Sequence, residues 1–434
     1  MDRLQRGKAT RVNELGRTPS PRRGEGGGEG APAVLIAPYP PHPNPLPKWG
    51  EGAPQCPRRP TCRDKQPRTI LIVAVAGRAL AVSARRAGYR PLVADCFGDQ
   101  DTLAAAQAHV RLDLGSGLQQ AEILAALDAL AAGDEPEGVV WGTGFEDRPE
   151  LLAAIGRRWR LFGNAPQTVA RLKDPRALAR MCADHGIAHP EVSLEPPAVP
   201  AQWLVKRRGG AGGLHVRPAC ADDRPRPDRY FQRRVGGVAV SVLILADGRR
   251  ATVIGVSSQW SSPAQGRPFR FGGAVRPAAL AATTGHVLAE AAGTLAAAAA
   301  LVGLNSVDFL VDGDTFWLLE VNPRPGATLD IFDTEDDSLF ARHVAACNGD
   351  PGARSCCLHG AAAAAIVYAG HDIASVPAFA WPDWTADRQS AGTSVRADQP
   401  LCTVRAAATT AADARALLER RMADIVAGAA AWAS

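Results

Sequence analysis

Apolar positions gather in short β-rich runs separated by turn residues. Ile70-Leu71-Ile72-Val73-Ala74-Val75 is uninterrupted, Ala76-Gly77-Arg78 is a tight turn, 79–87 is an Ala-rich helical stretch, and Pro91-Leu92-Val93-Ala94-Asp95 is a second apolar run. This strand, turn, helix, strand order predicts a parallel sheet, whose inner strands read as continuous apolar runs because both faces are covered. Val139-Val140-Trp141-Gly142-Thr143-Gly144-Phe145-Glu146 is a later strand of that sheet, with its glycine turn at the carboxyl edge, where ligands of such sheets bind. Beyond it, Trp203-Leu204-Val205-Lys206, the alternating segment 229–242 and the runs 303–311 and 315–322 predict antiparallel strands. A helix over 336–349, a buried strand over 361–368, hairpins between 381 and 404 and a helix over 411–427 complete the pattern. The Ala-rich stretch 286–304 contains Glu290 and is amphipathic; no apolar run is long enough to span a bilayer.

The first unit looks like the start of a Rossmann sheet with an acid, Asp95, at the end of its second strand. It lacks the three-glycine fingerprint, so a structural α/β role outweighs dinucleotide binding.

The chemistry concentrates in the hairpin 303–322. Glu320 and Asn322 are two residues apart on its second strand, so the pleat sends both to one face. A carboxylate and an amide at the end of an otherwise apolar strand are costly to bury unless a cation shares their face. Asp308 joins them only if the turn has the right parity. A two-residue Asp312-Gly313 loop turns it away, whereas a three-residue loop, Asp312 to Asp314, pairs it with Leu318 and brings it to the same side; the three-residue loop is the expectation. Upstream, Lys206 on a strand feeds Arg207-Arg208-Gly209-Gly210-Ala211-Gly212-Gly213, where glycines let backbone N–H groups approach phosphate oxygens and the lysine adds a fixed charge.

Asp308, then Glu320-x-Asn322 with Arg324 and Gly326 behind, resembles the metal-binding end of the ATP-grasp family, and the lysine with its glycine loop stands in the family's order. The resemblance implies an α/β and α+β multidomain chain: a Rossmann-like pre-ATP-grasp domain (67–165), a two-lobed ATP-grasp domain (166–345) and a small C-terminal α+β domain (346–434), after a tail (1–66). It further implies ATP bound by Lys206, Gly209, Gly210, Gly212 and Gly213, with Gln232 and Val235 at the adenine on the hinge strand. Many relatives carry glutamate where Gln232 stands and an acid near Ala239. Mg2+, or Mn2+ in its place, would be held by Asp308, Glu320 and Asn322, with Arg324 and Lys206 as catalytic groups. Relatives carry Asp-Lys near 174; here Pro175 follows Asp174, so Lys173 or Arg176 takes the phosphate role, while an Asp174 cap before Pro175 is the structural alternative. Glu146, and Arg270 in Pro268-Phe269-Arg270-Phe271-Gly272-Gly273, are candidate substrate contacts.

By the same resemblance the activity is a carboxylate-amine (or thiol) ligase acting through an acyl phosphate on small-molecule carboxylic acids and amines. Gly-Thr-Gly-Phe-Glu, Glu-Val-Asn-Pro-Arg-Pro-Gly-Ala-Thr-Leu-Asp and Pro-Leu-Cys-Thr-Val resemble a carboligase-like group related to biotin carboxylase, found with tetrahydromethanopterin and methanofuran one-carbon pathways. A bicarbonate-activating carboligase and a non-catalytic ATP-binding protein are the alternatives. Homodimers are common in the family, and the oligomeric state stays open.

Charge narrows the partners. The net charge is +5, yet residues 1–66 hold twelve Lys and Arg against six Asp and Glu, leaving the rest near neutral; nucleic acid is not an expected partner. Residues 19–54 are rich in Pro, Gly, Glu and Arg, predict disorder, resemble translated intergenic repeats and need not belong to the functional protein. The chain does not read as carrying a secretory signal. Nine cysteines without a Cys-x-x-Cys pair, two of them adjacent at Cys356-Cys357, suggest a reducing, cytoplasmic setting and no structural zinc.

Overall fold

The computed structural model describes residues 10–11, 68–115, 117–350 and 358–432. The expected disorder of 19–54 and the Cys356-Cys357 pair lie outside the described residues.

Five parallel strands form the first sheet, in the order Ala108–Arg111, Arg90–Asp95, Thr69–Val73, Val139–Trp141, Leu161–Phe162. Thr69–Val73 is buried along its length, which is why it reads as an unbroken apolar run. Asp95 is fully buried: its Oδ2 accepts from the backbone N–H of Gly77 and its Oδ1 from those of Phe97 and Gly98, with His109 Nε2 against the same Oδ1. Its carboxylate ties the turn together and leaves nothing for a ribose.

Two antiparallel sheets follow. The smaller runs Val192–Ser193, Arg229–Arg233, Trp203–Arg207, Arg217–Pro218. The larger has nine strands, with Thr315–Asn322, Val302–Asp312, Val238–Asp247, Ala251–Ser261 and Phe271–Arg276 as consecutive neighbours. Thr10–Arg11, within the expected tail, pairs at its edge with Phe316 and Thr315. The segment 229–242 is two strands, because the chain leaves the small sheet after Arg233 and enters the large one at Val238. Residues 234–237 are the link between the two lobes. The C-terminal part extends the large sheet: Ala361–Tyr368 pairs with Phe271–Arg276 on one side and Pro400–Ala408 on the other, and helix Ala411–Ala430 is the long element that follows.

One apolar cluster joins the first sheet to the large one, running from Ile72 and Leu80 to Leu304, Phe332 and Phe340. Polar ties reinforce it. The buried Arg78 guanidinium donates to Asp330 (2.7 Å) and to both oxygens of Asp387 (2.8 and 2.9 Å), from segments some 250 and 300 residues downstream. Asn164 donates to Asn305 (2.6 Å) and to the Pro323 carbonyl (2.8 Å), anchoring the strand that leads to Arg324. Among the described residues no helix is long and apolar enough to cross a membrane.

Candidate active site

Asp308 lies directly opposite Glu320, and Ser306 opposite Asn322. The expected device is corrected. Asp312 pairs with Thr315, so the turn is the two-residue loop Gly313-Asp314, and the parity comes from a bulge between Asp308 and Phe309 that leaves Leu319 unmatched. Gly313, at φ +56°, supplies the left-handed turn residue. Like charges directly across a ladder repel, and this pair is also largely withdrawn from water. Burial and then Glu320 push the Asp308 carboxyl up, against a 2.6 Å bond from the Ser241 hydroxyl. Burial acts the same way on Glu320, but Lys173, Lys206, His215 and Arg324 together hold it below the usual carboxylate range.

Asn322 sits among these charges. Its amide Nδ2 donates to Asp308 Oδ2 (2.8 Å), while its Oδ1 accepts from Lys173 Nζ (3.2 Å). The amide thus turns its donor, not its oxygen, to the acids, because two facing acceptors demand one. A half-turn about its terminal bond would present the oxygen instead.

Of the two cations flanking Asp174-Pro175, Lys173 is the one that faces the acidic pair. Its ammonium is 4.0 Å from Glu320 Oε2, whereas Arg176 is exposed; at the same time Asp174 accepts from Ala177 N (2.8 Å) and caps the helix Pro175–Asp184. Lys206 is buried and donates to Gln232 Oε1 (3.1 Å). Burial works against its charge, yet Tyr230, Glu320 and Asp308 more than offset that and raise it.

The glycine loop is packed tightly on both sides. At Gly209 (φ +64°) an added Cβ would lie 2.4 Å from the Asp147 backbone, and at Gly213 (φ +70°) 1.9 Å from the Phe269 carbonyl oxygen. The loop therefore bridges the carboxyl edge of the first sheet and the far wall of a cleft of about 1860 Å³. Gly210 packs against the His215 ring, and Gly212 (φ +65°) faces open space. Val235, half-buried, lines the cleft at the link between lobes. Three buried polar atoms in this region lack a partner: Gln232 Nε2, His215 Nδ1 and Arg208 Nε.

Glu146 and Arg270 are placed differently from the other candidates. Both Glu146 oxygens are engaged: Oε1 accepts from Arg324 Nε (2.7 Å), and Oε2 from the backbone N–H groups of Gly144 (2.7 Å) and Phe145 (3.0 Å). Arg270 stacks 3.6 Å over the Tyr368 ring and donates to Asp398 (2.9 Å) and the Ser262 carbonyl (2.8 Å), bracing its loop.

The donor set fits a hard divalent cation. Two opposed, half-buried carboxylates followed by an amide that can rotate make an oxygen site, and such cations take oxygen ligands with water completing the shell. Among the described residues no group of three or more His, Cys, Asp and Glu shares an ion-sized space, so the protein would supply two acids and one amide. Ser241 escaped the sequence reading, although it is the lone polar residue in the run 238–246.

Residues 173–328 match the family model of the ATP-grasp domain. The fold is similar to Rhizobium etli pyruvate carboxylase (16% identity, TM-score 0.64, 81% of this chain and 36% of that chain), so this chain spans about a third of that protein. It is similar to the biotin carboxylase domain of Hydrogenobacter thermophilus 2-oxoglutarate carboxylase, solved with MgADP and bicarbonate (11%, TM-score 0.65, 80% and 89%). It is also similar to N5-carboxyaminoimidazole ribonucleotide synthetase, solved with ADP (15%, TM-score 0.61, 82% and 97%). No curated protein sequence matches the chain. The centre of the chain thus matches the ATP-grasp domain model, within a fold similar to that of biotin carboxylase domains.

Proposed function

We propose that the chain is an ATP- and Mg2+-dependent ligase that activates a small carboxylic acid as its acyl phosphate and joins it to an amine, or a thiol. The observation that carries the reading is the opposed pair Asp308 and Glu320, ringed by Lys173, Lys206 and Arg324: a cation seat beside a polyanion seat. Lys206, Lys173 and the amides of Gly209, Gly210, Gly212 and Gly213 would neutralise and align the phosphates, and Gln232 and Val235 would flank the nucleotide at the link between lobes. A magnesium ion, or manganese, on Asp308, Glu320 and a turned Asn322 would supply further charge neutralisation at the phosphate oxygens.

The chemistry then needs positioning more than a protein nucleophile. The acid's carboxylate oxygen attacks the γ-phosphorus, the bond to the β-bridging oxygen breaks and ADP leaves; the amine nitrogen next attacks the acyl carbon, losing a proton as phosphate departs. Arg324 would stabilise the oxygens that gain charge.

Activation of bicarbonate is the second reading, favoured by likeness to a biotin carboxylase domain solved with that anion. The cleft, about 1860 Å³ against the roughly 300–1,000 Å³ of an ordinary ligand pocket, leaves room for an acceptor beside the nucleotide on either reading. We place the protein in the cytoplasm, with Cys96, Cys182, Cys220, Cys347 and Cys402 as free thiols, and leave a homodimer and a role in tetrahydromethanopterin or methanofuran synthesis as extensions of the same reading. ADP release from the full chain with Mg-ATP and pools of acids and amines, beside Glu320→Ala, tests it. Release should need both pools and vanish in the variant; release driven by bicarbonate alone would favour the second reading.

A further inference from the structure

We infer that Glu146 is a positioning residue that sets the orientation of Arg324 and ties it to the glycine turn of the first sheet. This rests on the ligase reading above for the role of Arg324.

The pair joins residues 178 apart in sequence and is almost dry, with 7% of the arginine side chain and 1% of the glutamate exposed. Glu146 cannot swing toward a ligand, because two backbone N–H groups hold its second oxygen. Burial opposes its charge, but Arg324, Lys173 and the Gly144 N–H prevail and keep it ionised. On the arginine, only Nε is firmly held. Nη1 and Nη2 make long contacts of 3.4 and 3.5 Å with the Pro325 carbonyl and Asn322 Oδ1, so the outer fork is available for a bidentate oxyanion beside the acidic pair.

The support behind Glu146 is rigid. Val75 N donates to the Thr143 carbonyl (2.8 Å), and at Gly144 (φ +107°) an added Cβ would lie 2.5 Å from Val75 Cγ2. Asp147, the next residue, is the one that Gly209 abuts. One dipeptide, Glu146-Asp147, therefore touches both the arginine and the glycine loop, so a displaced loop or turn is felt at Arg324.

A double-mutant cycle separates this from a packing role or a substrate contact. In Glu146→Gln the backbone N–H groups claim the amide oxygen and leave an NH2 facing Arg324 Nε, donor against donor. Glu146→Gln and Arg324→Lys should each lower kcat about thirtyfold, with KM for the acceptor acid nearly unchanged, and the double variant should be no worse than Arg324→Lys by more than about threefold. Multiplying losses, or a Glu146→Gln defect confined to KM for the acid, would overturn the inference. If Glu146→Gln does not fold, Glu146→Asp, which keeps the charge and shortens the reach, carries the same cycle. Should the wild type release no ADP with any pool, the ligase reading fails by itself, and the cycle is read in calorimetric affinities: the variants should lose preference for ATP over ADP, non-additively, with ADP affinity kept. Additive losses there would contradict the inference.

Discussion

Asp308 and Glu320 face each other across two antiparallel strands because a single unmatched residue, Leu319, shifts the register between them. Without that bulge Glu320 would point to the opposite side of the sheet from Asp308, and the two carboxylates would share no face.

The phosphate-binding cation near Pro175 should be Lys173 and not Arg176. Lys173→Ala should weaken ATP binding about tenfold or more, the value of one charge-assisted contact, and Arg176→Ala should leave it within about twofold. Titration calorimetry with Mg-ATP decides between them.

Two glycines of one loop should differ sharply. Gly213→Ala drives a methyl into the Phe269 carbonyl, whereas Gly212→Ala meets nothing within 4 Å. Both carry positive φ, so each costs about 1 kcal/mol of backbone strain, but only Gly213→Ala should also raise KM for ATP severalfold by displacing the loop. Steady-state kinetics on the two proteins, with melting temperatures alongside, reads the difference.

Arg78 should matter to folding more than any surface cation. Its loss strands Asp330 and Asp387 together in a buried setting, which is worth about 3–5 kcal/mol for a broken buried pair. Burial works against the guanidinium's charge, but Asp330 and Asp387 outweigh it and raise its pKa well above the usual value. Urea unfolding of Arg78→Ala against Arg86→Ala, whose own guanidinium sits nearer solvent (28% exposed against 7%), tests this ranking.

His343 should make the protein acid-sensitive. It is buried, accepts from Leu304 N (2.9 Å) and donates to the Phe162 carbonyl (3.0 Å), and burial pushes its pKa down to about 4. Above the unfolded value of about 6.5 both states are neutral and nothing changes. As pH falls below that, the unfolded chain takes up a proton that the folded one refuses until about pH 4, so stability declines through this window. Comparing unfolding at pH 6 and pH 5, His343→Gln should reduce the slope by about one proton, or about 1.4 kcal/mol per pH unit. An unchanged slope would mean that His343 titrates normally.

The sequence made the sheets and the hairpin legible because their signals are local. The strand Thr69–Val73 announces its double-sided burial, and Glu320 and Asn322 share a face by parity alone. The bulge was illegible because its setting is tertiary: Leu318 N donates to Ala188 O (2.8 Å), from another part of the chain, just before the mismatch. Segment 229–242 looked continuous because alternation is the same in both sheets, and nothing local says that the chain changes sheet at 234–237. Glu146 was found as a residue of interest from its place at a sheet edge, but its partner, Arg324, could be named only once the fold had joined them.

The most direct test of the central claim replaces the unknown amine with hydroxylamine. With Mg-ATP and a pool of small carboxylic acids, the full chain should form hydroxamates in step with ADP, and neither should appear with Glu320→Ala. ADP release that depends on bicarbonate and yields no hydroxamate from any acid in the pool would contradict activation of an organic carboxylate.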